Sequence, residues 1–240
     1  MQGMTSILEL PLYQTVIDTI VTRIASGELL PGGMLPSETQ LAAETGVSQG
    51  TARKALMMLE QNGIVRREQG RGTFVTARTP ESSLFNFFRL RERDGNIVRP
   101  ELIDERVHER PATMVERATL HGSPDSVIEI NRVRSLQGIP STIETAVVPA
   151  DLFSGIQRRL PLPSALYVLY QQAYGCIVLH ADETIIAISA GLDEAKALNI
   201  NEGAPLLRVE RLAYDILGRP IERRNSIYRT DKLSYMVKLS

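Results

Sequence analysis

Residues 35–75, LPSETQLAAETGVSQGTARKALMMLEQNGIVRREQGRGTFV, decide the fold of the first part of the chain. Ser37 and Gln40 stand three residues apart, which is the spacing of a capping box at a helix start. Gly46 suits the left-handed residue just past a helix end. Ser48 is an N-cap candidate for a second helix. The stretch therefore predicts two short helices joined by a tight turn.

The second helix and the residues after it complete a familiar pattern. Asn62-Gly63 stops the helix, and segments 64–67 and 73–76 flank a glycine-rich tip at 68–72, which indicates a β-hairpin. Two helices around a short turn form a helix-turn-helix, and the hairpin would be its wing. The apolar stripe of the second helix has the spacings of three and four that one helix face requires: Ala52, Ala55, Leu56 and Leu59.

The outward positions near the start of this helix are polar, cationic and small. Gln49 can bond adenine through two hydrogen bonds, and Arg53 can bond guanine or phosphate. With Gly50 and Lys54 they suit entry into a major groove. Any amphipathic helix also has a solvated polar face, so the pattern alone leaves both readings open.

Charge is distributed unevenly along the chain. The whole protein has a formal net charge of −1, which by itself does not favour nucleic acid. Residues 47–76, however, carry five basic and two acidic side chains, a net +3, whereas residues 1–46 carry one basic and five acidic ones, a net −4. A local basic stripe is the footprint expected of a DNA-binding surface.

Composition excludes several classes of protein. The 240 residues are 43% hydrophobic and 23% charged, which is typical of one or two globular domains. The single cysteine, Cys176, cannot form an internal disulfide and reads as a small buried hydrophobe. No apolar run is long enough to span a bilayer, and no secretory signal pattern opens the chain. We expect a soluble cytoplasmic protein that makes no membrane contact.

Texture along the chain predicts two domains. Pro11 starts a helix whose inward face would be Leu12, Val16, Ile20 and Ile24, widened by Ile17 and Val21. This helix would complete a three-helix core in a DNA-binding domain at residues 1–76. The polar stretch 77–83 reads as a linker. The phenylalanine-rich segment 84–90 would anchor the linker onto a second domain at residues 84–240, with Asp94-Gly95 as a turn.

Strand-like and helix-like segments interleave in the second domain. Segment 127–136 alternates and turns at 138–140 into a partner strand at 142–148. Hairpins with inserted helices predict an α+β fold with an antiparallel sheet flanked by helices. The helices are predicted at 112–120, 165–174 and 193–198, and the further strands at 177–188, 206–214, 220–228 and 234–239, the last three forming an antiparallel set.

Two arginines of segment 127–136 face the wrong way for a solvated strand. Arg132 and Arg134 share parity with Ile128 and Ile130, so they continue the inward face. Inward cations are costly unless an anion or a carboxylate meets them. Glu144 on the next strand could supply the carboxylate, or a small anionic ligand could bind. The parity leaves an ion-pair network and a ligand site both open.

The first domain is similar to the winged helix-turn-helix of the GntR family of bacterial transcription regulators. LPSE, LA, GVS, T-x-R-x-AL, LE-x-x-G and RRxxGRGTFV stand in the family's order and spacing. The resemblance implies a palindromic DNA operator read by a homodimer. Many members carry arginine where this chain has Thr39 and Gln49. The implied DNA-binding residues are Ser37, Thr39, Ser48, Gln49, Gly50, Thr51, Arg53, Lys54, Gln69, Gly70 and Arg71.

The second domain resembles the UTRA effector-binding domain of the HutC-type branch, whose fold is similar to chorismate lyase. The matching pieces include I-x-R-x-R, IET, ALYVLY, GAPLLRVERLAYD and GRPIERRNSIYR. Sugar-phosphate binders place serine where this chain has Ala165, with Ser164 one position earlier, so a carboxylate ligand remains open beside a phosphate. The implied effector-binding residues are Arg132, Arg134, Glu144, Tyr167, Glu222 and Tyr228.

We therefore expect a transcription regulator, by resemblance a repressor of a metabolic operon, controlled by a small anionic metabolite. The alternative is an enzyme acting on such a metabolite, since the second domain resembles a lyase. His108, His121 and His180 show no triad or metal-ligand spacing, so we predict no catalytic residue, no metal and no cofactor. A nucleoid-type DNA binder without effector would leave more than half the chain without a purpose.

Overall fold

The computed structural model describes residues 11–77, 89–92, 100–231 and 233–237 of the chain. It divides the chain into a first unit, Met1–Ala77, and a second unit, Arg78–Ser240. The predicted N-terminal arm, most of the linker at 77–83, segment 84–88 and the Asp94-Gly95 turn lie outside the described residues.

The first unit consists of three helices followed by a hairpin, as predicted. The α1 helix is Leu12–Ala25, α2 is Glu38–Thr45 and α3 is Gln49–Gln61, and β1 (Val65–Glu68) pairs antiparallel with β2 (Gly72–Val75). The capping box between Ser37 and Gln40 is present, and Gly46 has the left-handed conformation at φ +68°. These local signals therefore place the helix boundaries correctly.

The buried stripe of the first helix is shorter than predicted. Val16, Ile20, Val21 and Ile24 are buried against the core. Leu12, in contrast, is 64% exposed, so its assignment to the inward face is wrong. The stripe begins one turn later because only the part of α1 from Val16 onward is covered by the rest of the unit.

The second unit is built on a six-stranded antiparallel sheet with the strand order β4-β5-β6-β9-β8-β7. The hairpin between β5 and β6 turns at Gln137-Gly138, where both residues have positive φ (51° and 77°), as a tight two-residue turn requires. The elements in chain order are β3 Leu90–Glu92, β4 Glu101–Pro111, α4 Met114–Thr119, β5 Ser126–Leu136, β6 Ile139–Pro149, a 3-10 helix Ile156–Arg159, α5 Leu166–Tyr174, β7 Val178–Ser189, α6 Leu192–Leu198, β8 Pro205–Asp215, β9 Pro220–Arg229 and β10 Leu233–Tyr235.

The last strand does not join the predicted set. We expected residues 234–239 to extend the antiparallel group formed by 206–214 and 220–228. Instead β10 pairs with β3 in a separate two-stranded sheet. The reason is that β8 already has β7 and β9 as neighbours and β9 has β6 and β8, so neither strand has a free edge.

The main core lies on one face of the six-stranded sheet, between the sheet and α5. Phe153, Leu166 and Tyr170 pack there against Ile128 and Ala146. Cys176 belongs to this cluster and is buried, as predicted, and burial raises the pKa of its thiol to about 11. The same sheet face continues beyond the apolar cluster into a set of charged side chains.

Candidate functional site

The predicted DNA-reading residues of α3 lie on its exposed side. Because the apolar stripe turns inward, Gln49, Gly50, Arg53 and Lys54 are exposed. Ser48 caps the helix, and its Oγ accepts a hydrogen bond from the Thr51 backbone N–H at 3.1 Å. The outward set inferred from the helical pattern is therefore presented together on one surface.

The other predicted DNA-binding residues come from α2 and the wing. Ser37 caps α2, and Thr39 is exposed in its first turn. Gln69, Gly70 and Arg71 form the exposed tip between β1 and β2, where Gly70 has φ +73°. A residue with a side chain would be strained at that φ, so glycine allows the tight turn at the tip.

The cations of this surface have partners that solvent reaches. Lys54 Nζ lies 4.3 Å from the centroid of the Tyr13 ring. Arg71 Nη1 is 2.6 Å from Glu68 Oε2, and the Arg71 side chain is 74% exposed. Exposed ion pairs contribute little stability, so such a side chain can exchange its partner for a phosphate at small cost.

In the second unit, the six predicted effector-binding residues gather on one side of the sheet. Arg132, Glu144 and Ser226 are cross-strand neighbours in one row of β5, β6 and β9. The next row of the same three strands consists of Arg134, Thr142 and Tyr228. The parity argument for Arg132 and Arg134 is correct, since both side chains are buried.

A chain of ion pairs crosses this face. Arg132 Nε donates to Glu105 Oε2 at 2.8 Å, while Arg134 Nη2 lies 3.8 Å from Glu144 Oε1. Arg224 Nη1 donates to Glu144 Oε2 at 3.0 Å. Burial raises the pKa of Glu144, but Arg224, Arg134 and Arg132 outweigh it and lower the value to about 2. Glu144 is therefore an anion shared by several guanidinium groups.

Glu222 and the tyrosines extend the network. The hydroxyls of Tyr167 and Tyr170 donate to Glu222 at 2.9 and 2.8 Å, and Arg224 donates to it through Nε and Nη2. Burial raises the pKa of Tyr167 to about 12, so its hydroxyl stays protonated. Tyr228 packs in a small apolar cluster at the end of the sheet. Glu222 is thus fully engaged by protein groups.

A few buried polar atoms in this face have no hydrogen-bond partner. Within the described residues these are Nη1 and Nη2 of Arg132, Nε of Arg134, Oγ1 of Thr142 and Oε1 of Glu144. Two of them still lie within ion-pair distance of a partner, Arg132 Nη2 of Glu105 and Glu144 Oε1 of Arg134. Buried polar atoms are normally hydrogen-bonded, so each unpaired one requires an explanation. Four of the five can donate and one can only accept, which matches a ligand that carries both an anionic group and a hydroxyl or amine.

Sequence reasoning missed several residues of this face. The sequence predicted only Arg132, Arg134, Glu144, Tyr167, Glu222 and Tyr228, whereas this face also contains Glu105, Thr142, Tyr170, Arg211 and Arg224. Parity could have predicted Arg224, because it lies two residues after Glu222 on β9 and therefore shares its sheet face. Glu105 could not have been assigned, since nothing in the sequence gives the register of β4 against β5.

The remaining reactive residue types lie outside this face. His180 stacks on Tyr214 with ring centroids 4.7 Å apart, and His108 Nε2 is 4.0 Å from Glu129 Oε1. His121 is exposed. The described ranges contain no group of three or more His, Cys, Asp or Glu arranged to hold a metal ion. Among the same residues no helix has the length and apolar character of a membrane span.

Comparison with known proteins places both units. Residues 12–75 match the family described as bacterial regulatory proteins, gntR family, and residues 100–234 match the UTRA domain. The transcriptional repressor NagR of Bacillus subtilis (strain 168) is 31% identical over 96% of this chain and 97% of its own. MngR, the mannosyl-D-glycerate transport/metabolism system repressor of Escherichia coli (strain K12), is 28% identical over 94% of each chain.

The fold has a solved counterpart along nearly its whole length. The crystal structure of PhnF from Mycobacterium smegmatis aligns with a TM-score of 0.55 over 93% of this chain and 99% of that one, at 22% identity. The relatives are named as repressors, which assigns the chain to regulators rather than enzymes. The protein belongs to the GntR family of bacterial transcription regulators and carries a C-terminal UTRA effector-binding domain.

Proposed function

We propose that the protein is a homodimeric repressor of a metabolic operon, acting in the cytoplasm on a palindromic operator. Its DNA-binding domain would comprise residues 1–76, its linker 77–83 and its effector domain 84–240. The NagR and MngR relatives are both named as repressors, which supports that direction of control. One copy of a lightly charged surface binds weakly, so two copies on a palindrome supply the affinity.

The operator would be read by α3 and the wing. Gln49 and Arg53 are exposed on the same helix face and can bond adenine and guanine edges in a major groove. Lys54 and Arg71 would neutralise phosphates, and Gly70 would let the wing approach the duplex closely. Ser37, Ser48 and Thr51 lie at the starts of α2 and α3, where hydroxyls and backbone N–H groups commonly meet phosphate.

The effector would bind on the buried charged face of the sheet. One observation carries this proposal: donors of Arg132, Arg134 and Thr142 that have no hydrogen-bond partner lie beside Oε1 of Glu144, an acceptor that also has none. The anionic group of the ligand would take the donors, and a ligand hydroxyl or amine would donate to Glu144. Tyr167, Glu222 and Tyr228 would complete the walls.

The nearby loop bears on the kind of anion. Arg134 donates to the backbone oxygen of Ser164 at 3.0 Å and to its hydroxyl at 3.3 Å, so part of its capacity is already used. Ala165 offers no hydroxyl. The MngR relative is named for mannosyl-D-glycerate, which keeps a sugar-linked carboxylate beside phosphorylated sugars among the ligands to test.

Ligand binding would control the operator through a conformational equilibrium. A ligand that prefers one arrangement of the protein shifts the population toward it by its difference in affinity. Reciprocity then requires that operator DNA change the ligand's affinity by the same factor.

A thermal-shift screen tests this proposal. Phosphorylated sugars, small carboxylates and amino-acid breakdown products are screened, because a ligand selective for the folded state raises the melting temperature. A hit should be lost in Thr142→Val and Arg132→Ala. It should persist in the control Thr145→Val, because the Thr145 hydroxyl lies on the opposite face of the sheet, where it donates to Asn131. A hit that survives in both site variants would refute the site.

A further inference from the structure

An acidic side chain stands among the cations of the DNA-reading surface. Glu38 is the first residue of α2, and its Oε2 accepts a hydrogen bond from Arg53 Nε at 2.9 Å. Its Oε1 lies 3.7 Å from Arg67 Nη2. The carboxylate therefore joins α2 to the exposed side of α3 and to strand β1 of the wing.

This carboxylate is itself held in place. Its side chain is only 21% exposed, compared with 61% for Arg53. Arg67 Nη2 also donates to the backbone oxygen of Arg53 at 3.4 Å, and Glu60 accepts from the Arg67 backbone N–H at 3.2 Å. Glu38 thus presents a fixed acceptor to a side chain that is otherwise mobile in solvent.

The geometry of the pair leaves the reading end of Arg53 free. Glu38 bonds only Nε, and within the described residues Nη1 and Nη2 of Arg53 have no hydrogen-bond partner. Some arginines recognise guanine by directing two donors of the guanidinium fork at O6 and N7. A carboxylate behind the fork fixes its plane and lowers the conformational entropy that Arg53 loses on binding.

A carboxylate at this position also has a cost. DNA phosphates repel it, and it offsets part of the positive charge that drives non-specific binding. An acidic residue that only complemented the positive N-terminal end of α2 would not need to contact Arg53. The contact indicates a role in discrimination between sequences rather than in total affinity.

We propose that Glu38 is a positioning residue for sequence readout, which orients Arg53 toward a base edge while it lowers affinity for DNA of any sequence. This role of Glu38 rests on the proposed DNA-reading surface, so the experiment must distinguish failure of the role from failure of the surface. Both sequence-dependent and sequence-independent affinity are therefore measured on the full-length protein.

The probes are a duplex selected by the wild-type protein from a random pool and a scrambled duplex of the same composition. Glu38→Gln should bind the scrambled duplex more tightly, and its selected-to-scrambled affinity ratio should fall about tenfold. Glu38→Asp keeps the charge but shortens the side chain, so its ratio should also fall while its scrambled-duplex affinity stays near wild type. Glu44→Gln, whose carboxylate pairs with Arg23 in the same unit, should change neither quantity.

Arg53→Ala separates the inference from the function beneath it. If Arg53→Ala leaves the ratio unchanged, the reading surface itself is wrong. If Arg53→Ala lowers the ratio, Glu38→Gln in that background should cause no further loss. The inference is overturned if Glu38→Gln alone preserves the ratio, or if it lowers the ratio equally with and without Arg53. Matching melting temperatures of all variants exclude misfolding as the cause.

Discussion

The arginines of the first unit lie at its surface, whereas four arginines of the second unit lie against one face of its sheet. Arg53 and Arg71 keep most of their side-chain surface in solvent. Arg132, in contrast, is 1% exposed. The buried set is matched in number by carboxylates: Arg132, Arg134, Arg211 and Arg224 stand beside Glu105, Glu144, Glu183 and Glu222.

The difference follows from the solvent around each group. In water a guanidinium is stable without a fixed partner, so surface arginines remain available to phosphate. Away from water a charge needs a partner, so the buried arginines come with acids of their own. A ligand on the buried face would therefore compete with existing ion pairs, whereas DNA on the proposed reading surface would meet cations that hold only weak contacts.

The largest effect is expected from removing a buried cation. Arg224→Ala leaves Glu144 and Glu222 without their shared guanidinium and should lower the free energy of unfolding by about 3–5 kcal/mol. Arg223→Ala is the matched control, because Arg223 precedes Arg224 in β9 and its side chain points to the opposite face of the sheet. It should change stability by less than about 0.5 kcal/mol.

Urea denaturation followed by tyrosine fluorescence measures the loss of stability. The chain lacks tryptophan and Tyr13 is its only tyrosine before residue 78, so the signal reports mainly on the second unit. Equal losses in the two variants would show that the buried network does not stabilise the sheet.

A smaller effect is expected at a partly buried ion pair outside the proposed effector-binding face, between Arg110 and Glu116. Hydrogen bonds from Arg110 lower the pKa of Glu116 from 4.5 to about 2. The folded-state pKa is depressed, so its stabilisation is complete above pH 4.5 and is lost as the pH falls toward 2. Glu116→Gln should therefore cost about 2 kcal/mol at neutral pH and progressively less in acid.

Melting temperatures of wild type and Glu116→Gln across this pH range check the prediction, with the exposed Glu101→Gln as control. A gap between wild type and Glu116→Gln that stays constant with pH would mean that charge is not the source of the stabilisation.

The smallest effect on stability is expected at the proposed DNA-binding surface. Lys54→Ala removes an exposed cation that contacts only the Tyr13 ring among the described residues, so the melting temperature should barely change. Its affinity for duplex DNA should fall, and the slope of log affinity against log salt should shrink by about 1. An unchanged slope would remove Lys54 from the phosphate-contacting set.

The two regions also differ in how far the sequence predicts them. In the first unit, capping and glycine signals act within a few residues of the structure they specify, so Ser37, Gly46 and Ser48 place α2 and α3 correctly. In the second unit, parity along β5 correctly turned Arg132 and Arg134 inward, because alternation is also a local property.

Partners across strands could be predicted only where a short turn joins the two strands, as for Glu144 on β6 opposite Arg132 on β5. Glu105 meets Arg132 only through the register of β4 on β5, which shifts between Leu102 and Asp104. Strand β10 pairs with β3 because of which sheet edges remain free, and that depends on the whole topology. Local patterns therefore predicted α2, α3 and the inward arginines of β5, whereas the register of β4 on β5 and the pairing of β10 required the structure.

The central claim is that ligand binding at the buried face of the second unit controls the affinity of the first unit for operator DNA. Its most direct test is fluorescence anisotropy of the selected duplex with wild-type protein and Thr142→Val, titrated with the metabolite found by thermal shift. We expect the metabolite to change the wild-type affinity at least about fivefold and to leave the affinity of the variant unaffected. Equal responses of the two proteins, or a wild-type affinity that the bound metabolite does not change, would contradict it.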